Sequence, residues 1–421
     1  MKKSHLVITT PIMWTLALIS SPVQSSNSEE IQIRGFASLA ARYISDPSLG
    51  YHRSYQLKGA TSDVSLLSDS TLGLQTNIPM GKHLEGIIQV AYRDQISHRA
   101  TDYIDWAVIR YQMNRNTSLR IGRTHTDIQI ASDHQNIGYV HPWVSPPTEF
   151  YSAVNLFTRL DGIDVEFNAH LNDGDIRLKG GFGQTSQKVK AGGITTKMDI
   201  GNSGYLTLGY SVENWKFRAS QAWINVDSIE YQNQASLSSL KKLPDPVWPG
   251  VKAIIEEIES SGELIKYTSA GLKYDNHQWF MQTEVSLTDS DWQVMTPTLS
   301  GYVAGGIYHD DLTVFAAFSR ITPTSDRAAV PLPNYALLPA AQQPVVKQLY
   351  GKLSQALNAN RADQFTVSSG IRWDFHNNAA IKLQYDFSEI RPGGAGLWTE
   401  QTEREQPHSV HSVTLMLDVV F

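Results

Sequence analysis

The chain contains no cysteine and, beyond its first 25 residues, no apolar run long enough to cross a bilayer as a helix. None of its 421 residues carries a thiol, which excludes disulfides, thiolate nucleophiles and cysteine-based metal sites. A helical membrane span needs about 20 consecutive apolar residues. The sequence therefore predicts no membrane-spanning helix in residues 26–421.

Basic residues are too few for a nucleic-acid-binding protein. The chain has 35 Lys and Arg against 41 Asp and Glu. Two of the lysines lie within residues 1–25, so residues 26–421 carry 33 basic and 41 acidic side chains, a formal charge of −8. Proteins that bind nucleic acids usually carry a net positive surface. We therefore expect no nucleic-acid partner.

The first 25 residues have the pattern of a secretion signal. Lys2 and Lys3 precede a mostly apolar stretch from Leu6 to Leu18, and small residues follow up to Ser25. This pattern predicts a signal peptide over 1–25, followed by one domain over 26–421. A single membrane anchor is the alternative interpretation. Export without cysteine fits a periplasmic or outer-membrane location.

The C-terminal segment alternates strictly between two kinds of side chain. Its two faces carry Val413, Leu415, Leu417, Val419 and Phe421 on one side and Ser412, Thr414 and Asp418 on the other. A period of two places these sets on opposite faces of a strand. One face suits lipid and the other suits a wet lumen, as in a membrane barrel. A half-buried edge strand of a soluble sheet is the alternative.

Short polar turns and long polar stretches alternate along the whole chain. The predicted turns include residues 80–83, 114–117, 172–174, 213–214, 275–277 and 376–378. The long stretches are 45–63, 125–158, 186–203, 227–264, 289–299, 321–363 and 391–408. Assigning Gly192 to Ile200 to the fourth loop gives sixteen strands, eight loops and seven turns. Fourteen and eighteen strands are the alternatives.

Two of the long loops contain helical periodicity. Residues 249–261 place Val251, Ile254, Ile255 and Ile258 on one face, and residues 342–357 do the same with Val346, Leu349, Leu353 and Leu357. Both segments are too short to cross a membrane. We expect them to pack on the mouth of a barrel, with a gating or ligand-contacting lid as the alternative.

The same alternation predicts a charged inner face. Buried charges are costly unless they are paired or wet, so charged residues of the strands should face a water-filled lumen. Basic side chains outnumber acidic ones among them, which predicts a mildly positive lumen. The predicted pore-lining basic residues are Arg34, Arg42, Arg93, Arg120, Arg177, Arg218 and Arg372.

The chain resembles the trimeric sixteen-stranded porins of Gram-negative outer membranes. Two features carry the resemblance: the C-terminal strand that ends in Phe421, and strand residues 119–123 that lead into the long stretch 125–158. The resemblance implies an all-β fold, a transmembrane antiparallel β-barrel with short periplasmic turns and long extracellular loops. It implies that loop 3 folds into the lumen, with Asp127, Asp133 and Glu149 facing a basic wall of Arg34, Arg42, Arg93 and Arg120. It also implies a homotrimer, contact with outer-membrane lipid and lipopolysaccharide, and recognition of Phe421 by the barrel-assembly machinery.

We therefore expect a porin for passive diffusion of small hydrophilic solutes and ions, with a modest anion preference and no cofactor. His408 and His411 lie three apart on a strand and point to opposite faces, so we expect no metal site. The main alternative is a channel specific for one solute class, anionic or dicarboxylate-like. An outer-membrane barrel enzyme is the other, although no nucleophile, base and orienting group can be placed together.

Overall fold

The computed structural model describes residues 30–152, 157–191, 194–231, 240–398 and 406–421. They form one antiparallel barrel of sixteen long strands. The strands are β1 Gln32–Ile44, β2 Thr71–Pro79, β3 Leu84–Tyr92, β4 Ile104–Gln112, β5 Thr117–His125, β6 Arg159–Leu171, β7 Gly174–Ala191, β8 Ile194–Val212, β9 Trp215–Tyr231, β10 Glu263–Asp275, β11 Trp279–Ser290, β12 Thr298–His309, β13 Leu312–Pro323, β14 Ala362–His376, β15 Ala379–Ala395 and β16 His408–Val420. A two-residue strand, Val64–Ser65, pairs with β1 inside the first loop. The predicted signal peptide, 1–25, lies outside the described residues.

Pairing between the first and last strands closes the sheet. Phe36 lies opposite Val420, and the register continues to Ile44 opposite Ser412. Backbone bonds between Gly35 and Phe421 extend the ladder by one step, at 2.6 and 2.9 Å. The Phe421 ring lies against Gly35, where even a Cβ atom would collide with it. The first and last strands are thus paired, which closes the sheet into a barrel.

Seven short turns connect the strands at one end of the barrel, which we call the turn end. Asn172, Glu213, His277 and Asp310 adopt φ values of 53°, 49°, 63° and 50° in four of these turns. Asparagine and aspartate tolerate this left-handed region better than most residues. The predicted sixteen antiparallel strands, joined by short turns at one end of the barrel, are confirmed.

The predicted fourth loop is wrong. Residues assigned to it are paired strand, because Thr185 to Ala191 of β7 align with Ile200 to Ile194 of β8. Only two residues, 192–193, separate these strands. β7, β8 and β9 are therefore 18, 19 and 17 residues long, whereas β2 to β5 have nine each. The wall is tall on one side and low on the other.

Two helices lie at the opposite end of the barrel, the loop end. They are α2 Val251–Ile258 and α3 Gln343–Leu357, in the two segments where periodicity predicted helices. A four-residue helix, α1 Thr148–Tyr151, belongs to the third loop. α2 and α3 share an apolar core that includes Trp248, Ile255 and Leu353. We call this unit the cap. No helix within the described ranges is long and apolar enough to span a bilayer.

Candidate channel interior

Each strand of the barrel presents an apolar face outward and a largely polar face inward. In β16, Val413 and Leu415 are 40% and 52% exposed, whereas Thr414 and Asp418 are fully buried. A charged residue on the face that meets lipid would be destabilising, while the inner face can pair charges or hydrate them. The polar inner wall therefore contains the candidate site.

The third loop contacts this inner wall from many directions. We call its residues 126–152 the inner segment. At its start, Asp127 bonds to Arg177 at 2.6 Å and Lys179 at 3.3 Å and also to Arg218, so β7 and β9 hold one carboxylate with three cations. Burial would raise the pKa of Asp127, but these three cations hold it well below its ordinary value. The carboxylate is therefore charged at neutral pH.

A buried carboxylate of β11 receives the next part of the inner segment. Glu284 accepts from the backbone amide of Ile130 at 2.8 Å and from the Tyr151 hydroxyl at 2.7 Å. Tyr302 of β12 donates to the same carboxylate at 2.7 Å. Three donors on one side chain satisfy a group whose burial would otherwise be costly. These bonds fix both ends of the segment against one sector of wall.

The middle of the inner segment lies against the opposite sector, where the barrel closes. Lys382 of β15 donates to the Gly138 carbonyl at 2.7 Å. A Cβ atom on Gly138 would collide with Asp418 and Ser38, so only glycine fits this approach. Arg372 of β14 donates to the carbonyls of Tyr139 and His141.

Three further bonds attach the end of the inner segment to the wall near β1, β13 and β14. Ser145 accepts from Arg42 at 2.8 Å. Glu149 accepts from Ser319 of β13 at 2.5 Å and from Gln364 of β14 at 2.6 Å. The contacts of the inner segment thus extend around the barrel from β7 through β16 to β1.

All seven predicted pore-lining arginines lie on the inner face. Six of them hold a carboxylate: Arg42 with Asp69, Arg93 with Asp105, Arg120 with Asp164, Arg177 and Arg218 with Asp127, and Arg372 with Asp374. Arg34 lies near the turn end, is exposed and donates to the Gln32 side chain. Of the three predicted loop acids, Asp127 and Asp133 contact cations of the tall strands. The third, Glu149, accepts from the Ser319 hydroxyl and the Gln364 amide.

Two arginines that the strand pattern did not predict, Arg53 and Arg159, lie with Arg93 beside the inner segment. A cavity of about 30 Å³ is lined by Arg53 of the first loop, Arg93, Arg159 and one carboxylate, Asp105. A second cavity of about 40 Å³ has hydroxyl and amide side chains together with Glu149 and Asp386. Pro146 lines both cavities. Pro146 of the inner segment therefore lies between a basic cavity, which we call the basic passage, and a more acidic cavity.

Apolar side chains also face inward near the loop end. Ile200 of β8, Val226 of β9 and Ile265 of β10 are at most 2% exposed and belong to one cluster with residues of the first loop. The sequence reasoning missed this ring of apolar residues, because it assigned every inner face of the strands to water. We call it the inner apolar ring.

No protein-family model matches the sequence, and the search of curated proteins gave no match. Solved structures do match. An outer membrane protein of Vibrio cholerae, OmpT, aligns over 95% of this chain and 100% of its own, with a TM-score of 0.54 and 10% identity. The anion-selective porin from Comamonas acidovorans aligns over 93% and 99%, with a TM-score of 0.52 and 10% identity. The chain has the fold of outer-membrane porins.

A third structure with this porin fold is an outer membrane channel, DcaP of Acinetobacter baumannii. It covers 93% of this chain and 97% of its own, with a TM-score of 0.50 and 14% identity. The expected fold class is confirmed by these comparisons and by the closed sheet. Within the described ranges, no group of three His, Asp and Glu side chains is placed to hold a metal ion.

Proposed function

We propose that this porin-fold protein is a channel of the Gram-negative outer membrane for passive diffusion of small hydrophilic solutes and ions. The observation that carries the proposal is a closed sixteen-stranded barrel with apolar residues outside and charged residues inside. A barrel of this size is wide enough to enclose an aqueous path. The inner segment is its constriction, because its contacts reach around most of the inner wall.

The proposal includes a modest preference for anions. Arg53, Arg93 and Arg159 line the basic passage with Asp105 as the only carboxylate among its lining residues. Rings of like charge at a narrow point favour ions of the opposite sign. A neighbour in fold is named as an anion-selective porin, which is compatible with this sign. No enzymatic activity is part of the proposal.

We further propose a homotrimer whose outer faces contact lipid and lipopolysaccharide, and whose assembly uses Phe421 as a signal for the barrel-assembly machinery. One form of the Vibrio cholerae protein with this fold is a trimer. Phe421 is 60% exposed at the turn end, so another protein can reach it.

A planar bilayer recording tests the channel and its selectivity together. The refolded protein should give stepwise openings, in groups of three for a trimer, and a salt gradient should give a reversal potential of anionic sign. Arg53→Gln should move that potential toward cations. Lys242→Gln makes the same charge change at an exposed position of the cap and should leave the reversal potential unchanged. A folded barrel that never conducts would contradict the proposal.

A channel specific for one solute class is a second candidate, favoured by one observation. The cavities beside the inner segment are small, with volumes of about 30 and 40 Å³. A general porin should pass solutes in proportion to concentration, whereas a specific channel should saturate. Flux of a series of small solutes into liposomes separates the two.

A further inference from the structure

A larger cavity lies at the loop end, above the inner apolar ring. Its volume is about 100 Å³. Its walls are the tall strands β7, β8 and β9, the loop of residues 291–297, and the chain at the C-terminal end of α3. This cavity shares no lining residue with the two polar cavities beside the inner segment. We call it the mouth cavity.

The lining of the mouth cavity is mainly apolar. Its apolar lining residues include Val189, Met198, Ile229, Trp292 and Met295. Engineered apolar cavities of comparable size bind small apolar molecules. Methionine side chains adapt to the shape of such guests. An aromatic or branched aliphatic group of a solute therefore fits the chemistry of this space.

One polar group of the cavity is unsatisfied. Tyr231 lines the mouth cavity, and its buried hydroxyl has no hydrogen-bond partner among the described residues. Buried hydroxyls are normally paired, so an unpaired one calls for an explanation such as a ligand or a water molecule. The hydroxyl can donate to a polar atom of a guest whose apolar part lies in the cavity.

The basic passage adjoins the mouth cavity across a short piece of the first loop. Tyr55 lines the mouth cavity, whereas Arg53 and Gln56 line the basic passage. Segment 53–57 is thus a shared wall with an apolar space on one side and three guanidinium groups on the other. Gln56 donates to Gln187 of β7 at 2.5 Å, which attaches this wall to the tall side of the barrel.

We propose that the mouth cavity is a binding site for amphipathic organic anions, in particular aromatic or branched aliphatic carboxylates. The apolar body of the solute occupies the mouth cavity, and its carboxylate is attracted by the guanidinium groups across segment 53–57. The site captures such solutes before they reach the inner segment. The inference deepens the proposed function, since it names the solute class of the anion-preferring channel.

Three small probes separate the parts of the site. Phenylacetate has both an aromatic ring and a carboxylate, acetate has the carboxylate alone, and 2-phenylethanol has the ring without charge. Calorimetry on the refolded full chain in detergent measures binding without requiring current. We expect phenylacetate to bind at least tenfold more tightly than acetate.

A variant that fills the cavity tests its location. Ala356 lines the mouth cavity at the end of α3, and Ala356→Phe places a ring in it. Phenylacetate binding should weaken at least tenfold, while acetate binding should change little. Val345→Phe adds the same bulk on α3 at a side chain that is 56% exposed and should leave phenylacetate binding unchanged. Ala359→Leu fills the same cavity and replaces Ala356→Phe if that variant fails to fold.

The charge contribution is tested by Arg53→Gln. This change should weaken phenylacetate binding severalfold and leave 2-phenylethanol binding unchanged. Equal binding of phenylacetate and acetate, or unchanged phenylacetate binding in both filled variants, would overturn the inference. A protein that binds phenylacetate as expected but shows no anionic reversal potential would contradict the proposed ion selectivity alone. Failure of the binding site is therefore distinguishable from failure of the anion preference.

Discussion

At the residue scale, the interior is dominated by charges that make each other's burial possible. Arg42 and Asp69 are both inaccessible to solvent and bond at 2.7 Å. Burial would raise the pKa of Asp69 in the first loop, yet the Arg42 guanidinium holds it below its ordinary value. A buried pair of this kind contributes little net stability, but removing one partner leaves an uncompensated charge.

Arg42→Gln should therefore destabilise the barrel by about 3–5 kcal/mol, since it leaves Asp69 buried without its cation. The measurement is the midpoint of denaturant unfolding in detergent. The double variant Arg42→Gln/Asp69→Asn should recover part of the loss, because the buried Asp69 charge is gone while Asp386 still lacks its contact with Arg42. Equal midpoints for the single and double variants would show that the pair is not the source of the loss.

His52 of the first loop gives a dependence on pH. Burial lowers the pKa of His52 to about 4, whereas an unfolded histidine titrates near 6.5. Between these values the unfolded chain binds a proton that the folded chain does not, so stability falls as the pH drops from about 6.5 to 4. The total loss from this group is about 3 kcal/mol.

His52→Gln should remove that part of the acid sensitivity. The difference in unfolding free energy between the variant and the original protein should be constant above pH 7 and should change in favour of the variant toward pH 4. Parallel pH profiles would show that folding does not change the pKa of His52. The comparison cancels the contributions of the other histidines.

The sequence located strand arginines better than loop arginines for a physical reason. Arg42 and Arg372 lie in regular alternation, where a period of two fixes the face of each side chain. Arg53 lies in a loop, which has no such period. Arg159 begins β6 next to Leu160, and both are buried, so alternation fails there. Their meeting with Arg93 depends on how the first and third loops fold.

At the element scale, the inner segment is held by separate polar anchors and by an apolar cluster, in which Trp143 and Phe150 pack with wall residues such as Phe315. Asp127 anchors its start to β7 and β9, Gly138 lies against β15 and β16, and Glu149 anchors its end to β13 and β14. Each anchor can be removed separately. The position of the segment should therefore respond to single substitutions.

Asp127→Asn is the sharpest of these changes. It leaves Arg177, Lys179 and Arg218 without their shared carboxylate, so the start of the segment should loosen and the lumen should gain one positive charge. We expect larger and noisier single-channel conductance and a reversal potential shifted toward anions. Asp173→Asn, in the turn between β6 and β7, is the control with the same charge change. Identical currents from the two variants would argue against the inner segment as the constriction.

The sequence predicted the turns and the number of strands correctly, but it assigned the upper parts of β7 and β8 wrongly to a fourth loop. Asn172 and Glu213 were recognisable as turn residues, and both adopt left-handed backbone conformations. The wrong fourth loop came from the polar residues of 186–203. In the upper part of β7, Gln187 and Val189 are buried while Lys188 is exposed. A strand that extends beyond the membrane needs no apolar outer face, so the membrane pattern does not identify it.

At the scale of the whole molecule, the polarity of the two faces reverses along the barrel axis. The outer face is apolar in the membrane and polar above it, and the inner face becomes apolar near the loop end, where Ile200 and Val226 lie. The cap adds a second apolar core, and Val294 packs against both clusters. A solute entering from the loop end would thus meet apolar surface before it meets charge.

The closing pair of strands gives a prediction for the whole molecule. Phe421→Ala removes the ring that lies against Gly35 but keeps the backbone bonds. We expect refolding in detergent to proceed with similar yield, whereas insertion by the barrel-assembly machinery falls severalfold. Ile33→Ala is a control, since Ile33 is also an exposed apolar side chain, at 69%, of the neighbouring strand. Equal losses in both assays would indicate a packing role for the ring.

The ladder between β1 and β16 also has a consequence for the folding pathway. Phe36 and Val420 are opposite each other although 384 positions separate them in the chain, as 420 minus 36. Bringing such distant ends together costs roughly 5 kcal/mol of loop-closure entropy, and contacts of this range make folding slow. Until β16 arrives, β1 is an open edge that can pair with other chains. We therefore expect the exported polypeptide to need a holding chaperone until its last strand is available.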